Sequence, residues 1–139
     1  MYKQVLTYTD FEDVEHTETF RFNLSERELS EMQMSSKGGF DKYLNAIVEE
    51  QDIAKVASVF KDVILKAYGE LAPDGKSFIK KDENGRPLAD KFEQTAAFDE
   101  LFLQLMRDPD KATKFVTEIM PKRIRDEIAK QNAGNHPKI

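Results

Sequence analysis

The chain contains no cysteine among its 139 residues. Disulfides and thiolate metal sites are therefore excluded, in keeping with a reducing compartment. Histidine is nearly as scarce. His16 and His136 are the only two, and their spacing gives no sign of converging with carboxylates as a zinc or nucleophile site requires. Both read as solvent-facing residues. Long apolar runs are missing too. The opening segment MYKQVLTYTDFEDVE lacks the hydrophobic stretch of a signal peptide, and no later segment has the length and apolarity of a membrane span. Cytosolic synthesis without a membrane partner is the expectation.

What is present is an ordinary globular mixture. Hydrophobic residues make up 40% and charged residues 34%, enough apolar surface for one core and too much for global disorder. The net charge of −5 is unevenly spread: residues 1–50 hold 5 Lys/Arg against 11 Asp/Glu, whereas residues 108–139 hold 7 against 5. Phosphate contacts need clustered cations, so the acidic front end argues against a nucleic-acid partner. At the other end, Lys122, Arg123, Arg125 and Lys130 are interrupted by Asp126 and Glu127. That alternation suits a solvated helix face better than a phosphate footprint.

Residues 1–23 read as two strands, Tyr2–Tyr8 and His16–Phe22, in which β-branched and aromatic residues alternate imperfectly with polar ones. Asp10-Phe11-Glu12-Asp13 between them supplies a turn, predicting an antiparallel hairpin with Phe20 and Phe22 on one face. Ser25 and Glu28 form a capping box, with Leu24 and Leu29 placed as its apolar staple. The segment Ser35-Ser36-Lys37-Gly38-Gly39 breaks that short helix, and its spacing matches no phosphate-binding loop. From Phe40 to Ala67 the apolar positions recur at helical spacing, with a slip at residues 49–52 where Asp52 is placed to cap a second helix. This helix is expected to end at Gly69.

Pro73-Asp74-Gly75 and Asp82-Glu83-Asn84-Gly85 are turn sequences flanking a short extended segment, Ser77–Lys81. Pro87 is placed to open a helix over Leu88–Gln94, and Thr95 to cap another over Ala96–Met106. Asp108-Pro109-Asp110 ends that helix, with Asp110 expected to cap the next, and Pro121 precedes a weaker amphipathic piece marked by Ile124 and Ile128. The expected fold is α+β: an N-terminal antiparallel β-hairpin (1–23), then a mostly helical part (24–130) of about five to six helices. Together these make a single domain over 1–130, and the polar segment 131–139 reads as a flexible tail.

Catalytic chemistry finds no foothold. The carboxylate pairs Glu49/Glu50, Asp82/Glu83 and Asp99/Glu100 are adjacent in sequence and diverge if helical. Asp82–Gly85 lacks the ligand pattern of a calcium loop, and Ser77 lacks a nucleophile elbow. No cofactor, metal or catalytic residue is expected. The candidate functional feature is an apolar stripe: Phe98, Leu101, Phe102 and Leu105, widened by Leu103 and Met106, with Phe115, Val116 and Met120. Core packing accounts for most of such a stripe, and a part left exposed would suit a partner's amphipathic helix.

Several segments together resemble a known family. They are the YTD strand, FRFNLSERELSEMQMS followed by GGF, QDIAKVASVFKDVILKAYGE, the turn APDGKSFIK, and FEQTAAFDELFLQL. In this order they resemble the tail assembly chaperones of long-tailed phages and prophages, over roughly residues 5 to 120. The resemblance implies a non-catalytic protein that coats the tape-measure protein and helps tail tube subunits polymerise around it. It also implies action in the bacterial cytoplasm, absence from the finished virion, and in many phages a frameshifted longer form. Self-association is compatible with it. The competing expectation is a structural tail component, such as a tube or tail-completion protein, although tube subunits are normally richer in long strands.

Overall fold

The computed structural model describes residues 1–31, 53–126 and 130 of the chain, with side chains from residue 57 onward in the second of these stretches. The expected break at Ser35–Gly39, the helix from Phe40, the Asp52 cap, Ile128, His136 and the tail 131–139 lie outside the described residues.

Strand β1 (Tyr2–Thr9) pairs antiparallel with β2 (Glu15–Phe22), running from Tyr2 opposite Phe22 to Thr9 opposite Glu15. The turn between them is held by Asp10. Its carboxylate accepts the Glu12 and Val14 amides at 2.9 and 3.0 Å, while Asp13 sits at φ 64°. A type I turn followed by a left-handed residue is a common three-residue hairpin connection, and aspartate tolerates that conformation better than most. Even-numbered residues of both strands face inward: Tyr2, Leu6 and Phe22 are buried, and Phe20 packs against them.

The expected hairpin is part of a larger sheet. After helix α1 (Glu26–Glu31) and helix α2 (Ile53–Ala67), the chain continues into β3 (Tyr68–Leu71) and then β4 (Phe78–Ile79). The strand order is β1-β2-β3-β4, all antiparallel. The helix read as running to Gly69 thus stops at Ala67. Gly69 is instead a strand residue opposite Arg21, covered so closely by Phe78 that an added Cβ would lie 2.6 Å from the ring.

The helices are bounded largely where their caps lie. In α1 the Ser25 amide donates to Glu28 Oε1 at 2.9 Å and the Glu28 amide to Ser25 Oγ at 3.1 Å, the reciprocal capping box. Helix α3 (Leu88–Phe92) starts after Pro87, and α4 (Ala96–Arg107) is capped by Thr95, whose hydroxyl accepts the Phe98 amide. For α5 (Pro109–Glu118) the cap is Asp108 rather than Asp110, its carboxylate accepting the amides of Asp110 and Lys111. The reason is Pro109. Proline suits the first helical position because it has no amide to satisfy there, so the cap must precede it. Residues 122–126 are again helical.

The helices lie against the inner face of the sheet, with α4 on β1, α5 on α4, and α3 between α2 and β3. In α2 the buried residues Phe60, Val63, Ile64 and Ala67 form one face at i, i+3, i+4, i+7 spacing. They join one buried cluster with the inward sheet residues, Leu24, Leu29, Phe92 and the apolar faces of α4 and α5.

Candidate interaction surface

The aromatic side chains are mostly spent on this cluster. Phe115 sits edge-on to Tyr2 at 5.0 Å and to Phe22 at 5.5 Å, and Phe92 stacks on Tyr68 at 4.0 Å with rings nearly parallel. From Phe92 the chain of rings continues through Phe98 to Phe102. Of the expected stripe, Phe98, Leu101, Leu105, Phe115, Val116 and Met120 are buried. Phe102 is partly buried and flanks the cluster together with Met106. Next to them on α4, Leu103 is 43% exposed.

The reason is geometric. Positions 98, 101 and 105 mark the centre of the inward face of α4, and 102 and 106 mark its margin, with 103 one step further out. Phe102, Leu103 and Met106 therefore form the part of the stripe accessible from outside. On the opposite flank of α4, Gln104 accepts from Lys111 Nζ at 2.8 Å and donates to Glu100 at 2.9 Å, tying α4 to α5.

The most constrained charge is one that spacing arguments do not find. Lys80 Nζ donates to the carbonyls of Asn23 and Lys66, both at 2.7 Å, and to Glu28 Oε2 at 2.6 Å. One ammonium thereby fastens the β4 end of the sheet to the end of β2, the C-terminus of α2 and the first turn of α1. All three ammonium protons have acceptors. Burial pulls the Lys80 ammonium below its ordinary value, more than Glu28 restores. Burial pushes the Glu28 carboxyl up, but hydrogen bonds from Lys80 and the Ser25 amide outweigh it and the net direction is down. A shallow cleft beside this clamp is lined by Asn23, Arg27, Glu28, Phe78 and Lys80. Within it Lys80 pairs with Glu28 and Arg27 with Glu31, so these charges serve the fold. Glu28 was legible only as half of a capping box, because its second partner lies 52 residues away.

At the hairpin tip, His16 Nε2 lies 2.6 Å from Asp10 Oδ2, and the ring stacks on Tyr8. The His16 hydrogen bond is the main cause holding the Asp10 carboxyl below its usual range. Tyr8 donates to Glu18, and this bond pushes its hydroxyl up to about 12. These contacts brace the turn, and Phe11 projects beyond it at 77% exposure. Among the described residues no group of three or more histidines and carboxylates is placed to hold a metal ion, and no polar or charged residue is fully buried. Nor is any described helix long and apolar enough to cross a membrane.

An antiparallel sheet backed by short amphipathic helices thus buries one apolar cluster and leaves Val5, Phe11, Val14, Leu71, Ile79 and Leu103 exposed. Sequence comparison states which kind of protein this is: the chain belongs to the phage tail assembly chaperone family, whose family model matches residues 1–138. That family role is a chaperone's rather than an enzyme's, and it concerns tail assembly through protein partners. Neither a curated protein nor a solved structure matches the chain.

Proposed function

We propose that this chaperone binds the tape-measure protein of its phage or prophage and promotes polymerisation of the tail tube around it. The observation that carries the reading is the family match over nearly the whole chain. Physical logic supports it: a long helix with an apolar face must be kept soluble until the tube encloses it. Weak contacts repeated along such a rod give strong net binding through avidity, yet each is individually displaceable by an arriving tube subunit.

The surface assigned to this task is the outer margin of α4, where Phe102, Leu103 and Met106 lie together. The buried members of the stripe, Phe98, Leu101, Leu105, Phe115, Val116 and Met120, act as the rigid backing for that margin. On this reading the protein works in the cytoplasm of the bacterial host and departs before the virion is complete.

Co-expression tests it. The tape-measure protein should become soluble and copurify with this chain, and Leu103→Glu should weaken capture while leaving the melting temperature nearly unchanged. A partner that remains insoluble and unbound in the presence of the wild-type chain refutes the reading. Mass spectrometry of purified particles should find the chain absent or substoichiometric. Stoichiometric presence would assign it a structural role in the tail.

A further inference from the structure

Among the described residues, strand β1 is an edge of the sheet, bonded to β2 alone. The hairpin fixes which of its backbone groups remain free. The Asp10 amide donates to Val14 O at 2.8 Å, so the hydrogen-bonded pairs of the ladder fall on the even residues: Tyr8 with His16, Leu6 with Glu18, Gln4 with Phe20, and Tyr2 with Phe22. The amides and carbonyls of Lys3, Val5, Thr7 and Thr9 consequently point away from β2. The Val5 carbonyl bears this out, since it accepts from the side-chain amide of Gln4 at 3.0 Å. All four residues are exposed, Val5 at 62%.

Natural edge strands are usually shortened, kinked by a bulge, interrupted by proline or studded with charge. β1 is eight residues long, pairs in unbroken register, and carries one charged side chain, Lys3. A row of free backbone donors and acceptors in that form fits one kind of occupant, another extended strand.

We propose that the free edge of β1 pairs antiparallel with β1 of a second copy of this chain. The strand is self-complementary in the register centred on Leu6. Lys3 then lies opposite Thr9 of the second copy and Val5 opposite Thr7, so all four exposed residues pair and about eight backbone hydrogen bonds can form. The Gln4 side chain releases the Val5 carbonyl in the process.

Charge favours this occupant. Within one chain Lys3 stands directly opposite Arg21, a like-charge cross-strand pair, and Thr9 stands opposite Glu15. None of Lys3, Arg21 and Glu15 forms an ion pair among the described residues. Across the two-fold axis the outer face reads Arg21, Lys3, then Thr9 and Glu15 of the second copy. Lys3 and that Glu15 are separated by one threonine and about 10 Å of backbone, a span their side chains bridge. The paired basic residues of one copy thus meet the unpaired acid of the other, twice per dimer.

Sedimentation equilibrium of the full chain from about 1 to about 100 µM should show a dimer. Val5→Pro removes an amide that points to the free edge and leaves the β1–β2 ladder intact, so it should give a folded monomer with unchanged circular dichroism. Lys3→Glu should weaken the dimer by about three- to ten-fold, and Lys3→Glu combined with Glu15→Lys should restore it. A wild-type chain that stays monomeric across this range overturns the proposal, as does a dimer of unchanged affinity in either folded single variant. Should Val5→Pro fail to fold, Lys3→Glu and its rescue decide alone.

Discussion

Truncating Phe115 to alanine should come close to unfolding this protein, whereas truncating Phe102 should not. Phe115 is fully buried and is the ring at which four elements meet, with Tyr2 of β1, Phe22 of β2 and Phe60 of α2 around it at 5.0, 5.5 and 6.3 Å. Phe→Ala in a core costs about 3–5 kcal/mol. Two of its neighbours are edge-to-face pairs, each worth about 0.5–1.5 kcal/mol beyond burial, which places this site near the top of that range. An unfolding entropy of about 2.1 cal/mol/K per residue gives roughly 0.29 kcal/mol/K for a chain of this length. A loss of about 4–5 kcal/mol then lowers the melting temperature by roughly 14–17 °C. Total stability for a domain is about 5–15 kcal/mol, so such a variant is marginal at 37 °C. Phe102 keeps one ring neighbour, Phe98 at 6.1 Å, and part of its surface in water. Its truncation should cost about 1–2 kcal/mol, a shift of roughly 3–7 °C. Thermal melts followed by circular dichroism separate the two cases. Equal shifts, or a Phe115→Ala shift below about 5 °C, would refute the assignment of one ring to the core and the other to its margin.

Gly69→Ala should destabilise by about 1–3 kcal/mol through overpacking. The new Cβ would lie 2.6 Å from the Phe78 ring and 2.9 Å from the Ile79 carbonyl. Phe78→Ala should rescue it only in part, because the carbonyl remains; urea titration reads both. Lys80→Met strands two carbonyls and the Glu28 carboxylate, and should cost about 1–3 kcal/mol in the same assay. For Glu28, the folded carboxyl titrates below its ordinary value of 4.5. Its stabilisation is therefore complete above that value and lost as pH falls through the lower folded one. The gap in melting temperature between wild type and Glu28→Gln should accordingly be present at neutral pH and close in acid; a gap independent of pH would contradict the clamp.

How much of this was legible in the sequence follows how local each cause is. The hairpin, the Ser25/Glu28 box, the Thr95 cap and the two Gly turns each depend on residues within a few positions of one another, and the structure places them as expected. Tyr68–Leu71 was not readable as a strand, because four residues at the end of an amphipathic helix carry no period of their own. What makes them a strand is Arg21 and Phe22, which lie more than forty positions earlier and offer the free side of β2. Lys80 was invisible for the same reason. The stripe on α4 was read correctly as apolar, but periodicity alone does not tell the centre of a face from its margin. That distinction comes from the neighbours the face meets.

The apolar stripe suggests a surface for a partner, and the use the fold makes of its aromatic rings narrows where recognition can lie. Phe20, Phe22, Phe60, Phe92, Phe98 and Phe115 each touch at least one other aromatic ring. The described part, one short sheet and helices of five to fifteen residues, has little depth, and large rings fill it with few positions. Side chains committed in that way cannot also grip a partner without unfolding the domain. Among the described residues, the contacts proposed above accordingly lie on the periphery: the outer margin of α4 and the backbone edge of β1. Both are narrow, and narrow contacts are individually weak. On the proposed function, weakness at each contact and strength in their number is the useful combination for covering a long rod and then yielding it to the tube. A second copy joined through β1 would double the margins presented to such a rod.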